Sequence, residues 1–289
     1  MPELTNPRKA YTSDLNDAQW DIISPFVSVN LGRGTRNKHL LREVINAISY
    51  INANGCKWAD LPHDFPPFTS VSYHYTKWAR NGTWRRINDA LRERVRVQAG
   101  RDPHPSAGAI DSQTAKAAST GGSRGYDGGK RTNGRKKHAL VDSMGLLIAV
   151  LVTAASVSDA AGAMAVLRRV SRFDQPRLRT IWADTAYHRG EVYALAAARG
   201  WELDIRSRPA GATGFVPIRG RWVVERTFGW LAQHRRHAKD YERSYTSSEA
   251  QVYISSVRLM LRRLTKIAPP RDSGAAANAA SAGFPKLAA

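Results

Sequence analysis

Apolar residues recur at helical spacing in the first third of the chain. Leu41, Val44, Ile45, Ile48 and Ile51 form one such stripe, and it ends at an Asn-Gly pair that is typical of a helix stop. Similar stripes and turn signals predict helices at 15–27, 33–54, 71–80 and 83–98. We therefore predict a small all-α domain over residues 12–98, a kind of module that often binds DNA, and a linker over 99–106.

Short apolar runs alternate with helical stretches after the linker. They predict strands at 108–112, 136–142, 146–154, 179–184 and 201–206, and helices at 159–170, 191–199, around Glu225 and at 248–266. This order indicates an α/β domain over residues 107–266. The tail 267–289 is rich in alanine, glycine, proline and serine, and we predict it to be disordered because it has too little apolar surface to bury.

Two of the predicted strands end on an aspartate. Asp111 follows Ala109-Ile110, and Asp184 follows Trp182-Ala183. Open α/β sheets bind ligands at the carboxyl ends of their strands, so neighbouring strands would bring the two carboxylates together as a divalent-metal site. Glu225 lies on a helix with an apolar stripe, in a row with Gly229 and other small residues. Those small residues would let the helix approach the sheet and direct Glu225 toward the aspartates.

The chain is strongly basic, with a formal net charge of +20 over 289 residues. A positive field of this size indicates a polyanionic partner, with nucleic acid ahead of an anionic membrane surface. The longest apolar run, 146–155, is much shorter than the roughly 20 residues needed to span a bilayer. The first residues lack the apolar core of a secretory signal, and Cys56 is the single cysteine, which excludes an internal disulfide and fits a reducing, cytosolic setting.

A glycine-rich, basic segment covers residues 119–137. It lacks the Gly-Lys-Ser/Thr of a phosphate-binding loop, so we interpret it as a flexible hairpin or loop that orders against DNA phosphates near the active site. A solvated loop without a ligand fits the composition about equally well.

Taken together, these motifs resemble a DDE transposase of a bacterial insertion sequence, close to the insertion-sequence-five group of the four/five superfamily. The resemblance covers residues 15–266. Its motifs are Ala109-Ile110-Asp111-Ser112-Gln113, Gly134-Arg135-Lys136-Lys137-His138, Ala183-Asp184-Thr185-Ala186-Tyr187 and Val224-Glu225-Arg226-Thr227-Phe228. It implies a ribonuclease-H-like catalytic core with a mixed five-stranded sheet and flanking helices, in which the first and fourth strands are neighbours.

The resemblance also implies a chemistry. Asp111, Asp184 and Glu225 would hold Mg²⁺ or Mn²⁺, with two ions expected, cut DNA at the transposon ends and join the freed 3′-hydroxyl to target DNA. The partners would be double-stranded DNA, as terminal inverted repeats and target, and a second copy in a homodimer. The expected location is the bacterial cytoplasm, in association with the nucleoid.

The sequence departs from the family signature around the last acid. Arg221 and Glu225 match, but Ile218 stands at the tyrosine position and Ala232 at the lysine position. Basic residues nearby could replace that lysine. The predicted DNA contacts are Arg33, Arg36, Lys38, Arg124, Lys130, Arg131, Arg135, Lys136, Lys137, His138, Arg189, Arg221, Arg226, His234, Arg235 and Arg236.

Two other functions remain open at this point. A structure-specific nuclease on the same fold would cut DNA without strand transfer, and a transposase-derived DNA-binding protein would not cut at all. Each acid alone is more often a turn, cap or surface residue, and the prediction depends on the three occurring together. Among the other acids, Asp142 is predicted to form a hairpin turn and Asp159 to cap a helix.

Overall fold

Four helices lie where the apolar spacing predicts them, but the second begins at Leu41 and not at residue 33, and residues 33–39 lie outside the described part. The computed structural model of the protein describes residues 8–28, 40–119, 122–207, 218 and 220–266. The helices are α1 Asp17–Ser28, α2 Leu41–Asn54, α3 Phe68–Arg80 and α4 Thr83–Gln98. Gly55 ends α2 in the left-handed region at φ 74°, a conformation that glycine adopts without a side-chain penalty. The predicted disordered tail lies outside the described residues.

Six strands form one mixed sheet. They are β1 Ala107–Lys116, β2 Gly125–Asp127, β3 Thr132–Asp142, β4 Leu147–Ala154, β5 Thr180–Ala183 and β6 Glu202–Ile205. β3 pairs antiparallel with β4 and β1, and β1 continues parallel to β5, which pairs with β6. The predicted ribonuclease-H-like core is confirmed. The short β2 is an addition that pairs with the start of β3, so part of the glycine-rich segment is a hairpin.

Helices cover both faces of the sheet. They are α5 Asp159–Arg168, α6 Gly190–Ala198, α7 Trp222–Ala232 and α8 Tyr245–Leu264. Consecutive residues of a strand point to opposite faces. Ala109 accordingly belongs to a core with α7, α8 and the first helices, and Ile110 to a second core with α5 and α6. Both faces are buried, which explains why β4 is a nearly continuous apolar run.

The long helix α8 joins the first four helices to the sheet. Ser256 on α8 donates to Asn88 Oδ1 on α4 (2.8 Å), and Asn88 Nδ2 donates to the Leu147 carbonyl of β4 (2.9 Å). Asn52 on α2 donates to Gln251 Oε1 on α8 (2.9 Å). The division into residues 12–98 and 107–266 stays a prediction, and these helices share one apolar core with the sheet. Within the described part, no helix is long and apolar enough to cross a bilayer.

A buried ion pair fixes the end of α4 to the β3–β4 turn. Arg96 Nη1 lies 2.6 Å from Asp142 Oδ2, and both side chains are almost fully buried. Asp142 Oδ1 accepts hydrogen bonds from the amides of Met144 and Leu146, which confirms the predicted hairpin turn. Asp142 therefore holds the turn and neutralises Arg96 with the same carboxylate.

We expect Asp142→Ala to lower the free energy of unfolding by about 3–5 kcal/mol, because it leaves the Arg96 guanidinium buried without a counter-ion. Urea denaturation at neutral pH measures the loss. Asp17→Ala is the matched control, since Asp17 makes an ion pair of similar length with Arg42 (2.7 Å) on the surface and should change stability little. Equal losses in the two variants would contradict this account.

Candidate active site

The parallel pairing of β1 and β5 sets Asp111 beside Asp184. Ala107 pairs with Thr180 and Ala109 with Trp182, so the same register carried two residues further aligns Asp111 with Asp184. Local bonds orient both carboxylates. Asp111 Oδ1 accepts from the Ser112 amide (2.7 Å), and Asp184 Oδ1 accepts from the Ala186 amide (2.8 Å) at the start of a 3₁₀ turn. Asp184 thus directly follows β5, at the height of Asp111 in the neighbouring β1.

The surroundings of Asp111 disfavour its charged form. Burial raises the pKa of Asp111 from 3.8 to about 6, and the nearby negative charge of Asp184 adds to the increase. The Ser112 amide, Arg221 and Lys130 act in the opposite direction. Burial likewise raises the pKa of Tyr187 well above its usual value, with contributions from Asp111, Asp159 and Asp184. A cation placed here would relieve the repulsion between the carboxylates.

Arg221 lies between Glu225 and Asp184 and connects the third predicted acid to the aspartates. Arg221 precedes Glu225 by one helical turn, and its Nη2 lies 3.3 Å from Glu225 Oε1 and 4.0 Å from Asp184 Oδ2. Arg221 Nη1 also donates to the Arg206 carbonyl (3.2 Å). The guanidinium therefore bridges two of the three predicted catalytic acids. Gly229 faces open space, so the expectation that it brings the helix close to the sheet is wrong.

The two aspartates fit a hard divalent cation. Carboxylate oxygens are the ligands that Mg²⁺ and Mn²⁺ prefer, and the nearby charge of Asp184 adds to the burial that raises the pKa of Asp111. Among the described residues, no group of three His, Cys, Asp or Glu side chains is arranged to hold a metal ion. The roles of Asp111, Asp184 and Glu225 as metal ligands and catalytic residues stay a prediction.

Sequence reasoning missed the part of Asp159 in this region. Ser158 is the cap of α5, since its hydroxyl accepts from the Ala161 amide, so the prediction that Asp159 caps the helix is wrong. Asp159 Oδ1 instead accepts from Ser112 Oγ (2.7 Å) and lies 3.1 Å from Lys136 Nζ. Asp159 therefore contacts β1 at the residue after Asp111. In the sequence, Ser158 and Asp159 stand at the start of a predicted helix. Either residue could cap that helix, so nothing in the sequence indicated that Asp159 contacts Ser112.

Several predicted DNA contacts lie inside the protein. Arg135, Lys136, Lys137, His138 and Arg236 are all at most 6% exposed. Arg135 pairs with Asp240 (3.1 Å), and Lys137 Nζ lies 3.0 Å from His237 Nδ1. Burial lowers the pKa of Lys137 to about 8 and that of His138 to about 4. The expectation that these five residues contact DNA is not met in this structure. Four of them lie on β3, which is covered on both faces, and Arg236 is buried in an ion pair with Glu242 (2.8 Å).

The remaining predicted contacts differ in exposure. Arg226 is half-buried between the rings of Trp222 (4.2 Å) and Trp230 (4.6 Å), and His234 is half-buried with its pKa lowered by burial to about 4. Exposed side chains are Arg124, Lys130, Arg131, Arg189 and Arg235. Lys130 Nζ lies 3.4 Å from the Ser112 carbonyl, next to Asp111. Arg33, Arg36 and Lys38 lie outside the described residues.

The sheet order and the paired aspartates place the chain in the ribonuclease-H-like class of proteins. Within that class it belongs to the family described as "Transposase DDE domain", which matches residues 102–261. Residues 15–88 match a second family, described as "Putative transposase of IS4/5 family". Membership of the first family implies use of a divalent metal ion in general.

A curated relative agrees with these matches. The protein of Burkholderia cepacia named "Putative transposase for insertion sequence element IS402" is 31% identical to this chain over 117 residues. The aligned part covers 38% of this chain and 54% of the relative, so the chain spans about half the length of that protein.

The pKa of Asp111 predicts a pH-dependent cost of the metal-free site. Its folded pKa of about 6 lies above the unfolded value, so the proton-linked stabilisation is complete below about pH 4 and is lost as the pH rises through 6. In EDTA at pH 8, we expect Asp111→Asn to raise the free energy of unfolding by about 2–3 kcal/mol, with the gain disappearing below about pH 4.

Urea titrations across this pH range measure the difference. Glu225→Gln is the control, because Glu225 is exposed and its replacement should not reproduce the pH-dependent gain. An Asp111→Asn variant that is no more stable than the wild type at pH 8 would show that Asp111 is not destabilised by its surroundings.

Proposed function

We propose that this protein is a DNA transposase that cuts at the ends of an insertion sequence and transfers the freed 3′-hydroxyl into target DNA. The alignment of Asp111 with Asp184 carries the proposal, because it brings two hard-oxygen ligands together on the adjacent parallel strands of a ribonuclease-H-like sheet. Membership of the DDE family and the net charge of +20 support DNA as the substrate.

Asp111, Asp184 and Glu225 would hold Mg²⁺ or Mn²⁺, and two ions suit the chemistry. Such ions, when bound, activate the attacking oxygen and stabilise the leaving oxygen of an in-line displacement at phosphorus. Glu225 Oε1 lies 3.3 Å from Arg221 Nη2, so a metal ion would compete with this guanidinium for the Glu225 carboxylate.

Cations of the chain itself balance the acids and are suited to bind the substrate. Arg221 carries a planar guanidinium whose N–H groups match phosphate oxygens as well as carboxylates. Lys130, from the β2–β3 hairpin, brings a second positive charge next to Asp111. We infer that both contact the DNA backbone when it enters the site, together with the exposed Arg124, Arg131, Arg189 and Arg235.

The proposed assembly is a homodimer on double-stranded DNA, because two transposon ends must be cut and joined together. The helices of residues 12–98 are proposed to bind the terminal repeats, which fits their separate match to a transposase family. The proposed location is the bacterial cytoplasm, at the nucleoid.

Cleavage of a labelled duplex that carries the element's own end tests the site. With Mg²⁺ or Mn²⁺, we expect Asp111→Ala, Asp184→Ala and Glu225→Ala each to lower the cleavage rate roughly a hundredfold or more, since a bound metal ion contributes several kcal/mol to such a transition state. EDTA should abolish cleavage by the wild type.

Glu191→Ala is the control variant, because Glu191 is an exposed acid on α6 that has no place in the proposed site. An alanine variant of one of the three acids that cuts as fast as Glu191→Ala would remove that acid from the site. Wild-type protein that binds the end without cutting it in either metal would favour a DNA-binding protein derived from a transposase.

Strand transfer separates a transposase from a nuclease of the same fold. We expect the wild type to join a pre-cut end with a free 3′-hydroxyl to a supercoiled plasmid, and Asp184→Ala to lose this joining because both steps use the same acids. Sequencing of the plasmid junctions detects the product. Cleavage of the end without any joined product would identify a structure-specific nuclease.

A further inference from the structure

A cluster of arginines lies between α5 and β5, away from the acids. Residues 168–179, which we call the arginine segment, contain five basic residues and one acidic residue, Asp174. The basic residues are Arg168, Arg169, Arg172, Arg177 and Arg179, and all five are exposed. None of them belongs to the site proposed above. Arg169 is paired with Glu249 (2.7 Å) and Arg177 with Asp102 (2.6 Å), and the three other arginines leave this surface with an excess of positive charge, which attracts polyanions.

Bonds from the surrounding helices and strands fix the shape of the arginine segment. Arg199, which directly follows α6, donates to the Val170 carbonyl (2.6 Å), and Arg85 of α4 donates to the Arg169 carbonyl (3.2 Å). Arg177 forms an ion pair with Asp102 at 2.6 Å, before β1. The amide of Arg179 donates to the Ser106 carbonyl (2.8 Å). The segment is thus attached to three neighbouring parts of the fold.

Phe173 protrudes from this fixed segment. Its side chain is 97% exposed, whereas no other large hydrophobic residue in the described part of the chain exceeds 61%. The residues on both sides are anchored, because the Asp174 amide donates to Ser171 Oγ (3.0 Å) and Gln175 is buried. The ring is therefore held in solvent by an ordered backbone, and its contact surface is available to a partner.

The charges around Phe173 favour DNA over a second copy of the chain. Two copies that met at this surface would bring arginines against arginines, and each copy carries a net charge of +20. DNA offers phosphates to the guanidinium groups and base planes to the ring. Proteins that bend DNA combine these features, with arginines on the backbone and an apolar side chain inserted at a base step.

We propose that the arginine segment is a second DNA-binding surface, in which Phe173 stacks on or between bases and the arginines contact phosphates. The segment precedes β5, whereas Asp184 follows it, so the surface and the acids lie at opposite ends of the strand. The DNA bound there is therefore a stretch away from the phosphate being cut. The proposal rests on the proposed function in that it takes DNA as the partner.

Site-specific photo-crosslinking tests the contact in the full-length protein. We place p-benzoylphenylalanine at position 173 and irradiate the protein with a labelled 40-base-pair duplex in EDTA, where no cleavage is expected. We expect a protein–DNA adduct. The same residue at Ala194, which is exposed on α6 and belongs to neither proposed DNA surface, is the control and should give a much weaker adduct. An adduct between two protein chains, or no adduct above the Ala194 control, would overturn the proposal.

Equilibrium binding gives an independent measurement. We expect Phe173→Ala to weaken binding of the duplex about fivefold or more, on the scale of a lost base–aromatic contact, without changing the melting temperature. A plot of the logarithm of the DNA association constant against the logarithm of the salt concentration has a negative slope. Arg172→Gln should make this slope shallower by about one, as the loss of one phosphate contact does.

The outcomes distinguish this surface from the catalytic proposal. Unchanged affinity in Phe173→Ala and an unchanged salt slope in Arg172→Gln would reject the surface and leave the cleavage tests unaffected. Wild-type protein that binds no duplex in EDTA would reject the surface and also argue against a function on DNA.

Discussion

Burial of the Asp111 carboxyl group beside the carboxylate of Asp184 is the constraint on which the proposed site depends. The β1–β5 register fixes Asp111 and Asp184 at the same height, and burial prevents water from screening them fully. Burial, with a smaller contribution from Asp184, raises the pKa of Asp111, and Arg221 lies between Asp184 and Glu225. A cation bound between the two aspartates would stabilise their charged forms and with them the folded chain.

The sheet keeps the two carboxylates close together because apolar cores on both of its faces fix the positions of its strands. Ala109 and Ile110 of β1 point into different cores. A shift in the register of β1 would therefore move apolar residues out of both cores and displace Asp111 as well. Buried polar pairs add direction to this packing. Arg96 with Asp142 and Arg135 with Asp240 connect the central strands to α4 and to the segment before α8. Such pairs require exact partners, and a misplaced neighbour would leave a charge buried alone.

Residue spacing was sufficient to predict most of the elements. Helices such as 83–98 coincide with the observed α4, because an amphipathic stripe with a glycine before it leaves few alternatives. The Asp142 turn was predictable for a similar reason, since its bonds reach residues only two and four positions away. Asp159 was not, because its partners Ser112 and Lys136 are distant in sequence. The pairing of the first predicted strand with the fourth, which are β1 and β5 in the structure, was predicted from the resemblance to a known family and not from residue spacing.

The sequence by itself determined the basic charge, the order of helices and strands, and the three acids that merit attention, because these depend on residue type and local periodicity. The tertiary structure decided which cations face solvent. Arg135, Lys136 and Lys137 read as a phosphate-binding run, yet β3 lies inside the sheet and each of them has an internal partner. Only the tertiary structure shows that the Arg221 guanidinium lies between Asp184 and Glu225 and that the Phe173 ring is exposed to solvent. Burial and pairing depend on contacts between distant segments, and no local pattern of residues encodes them.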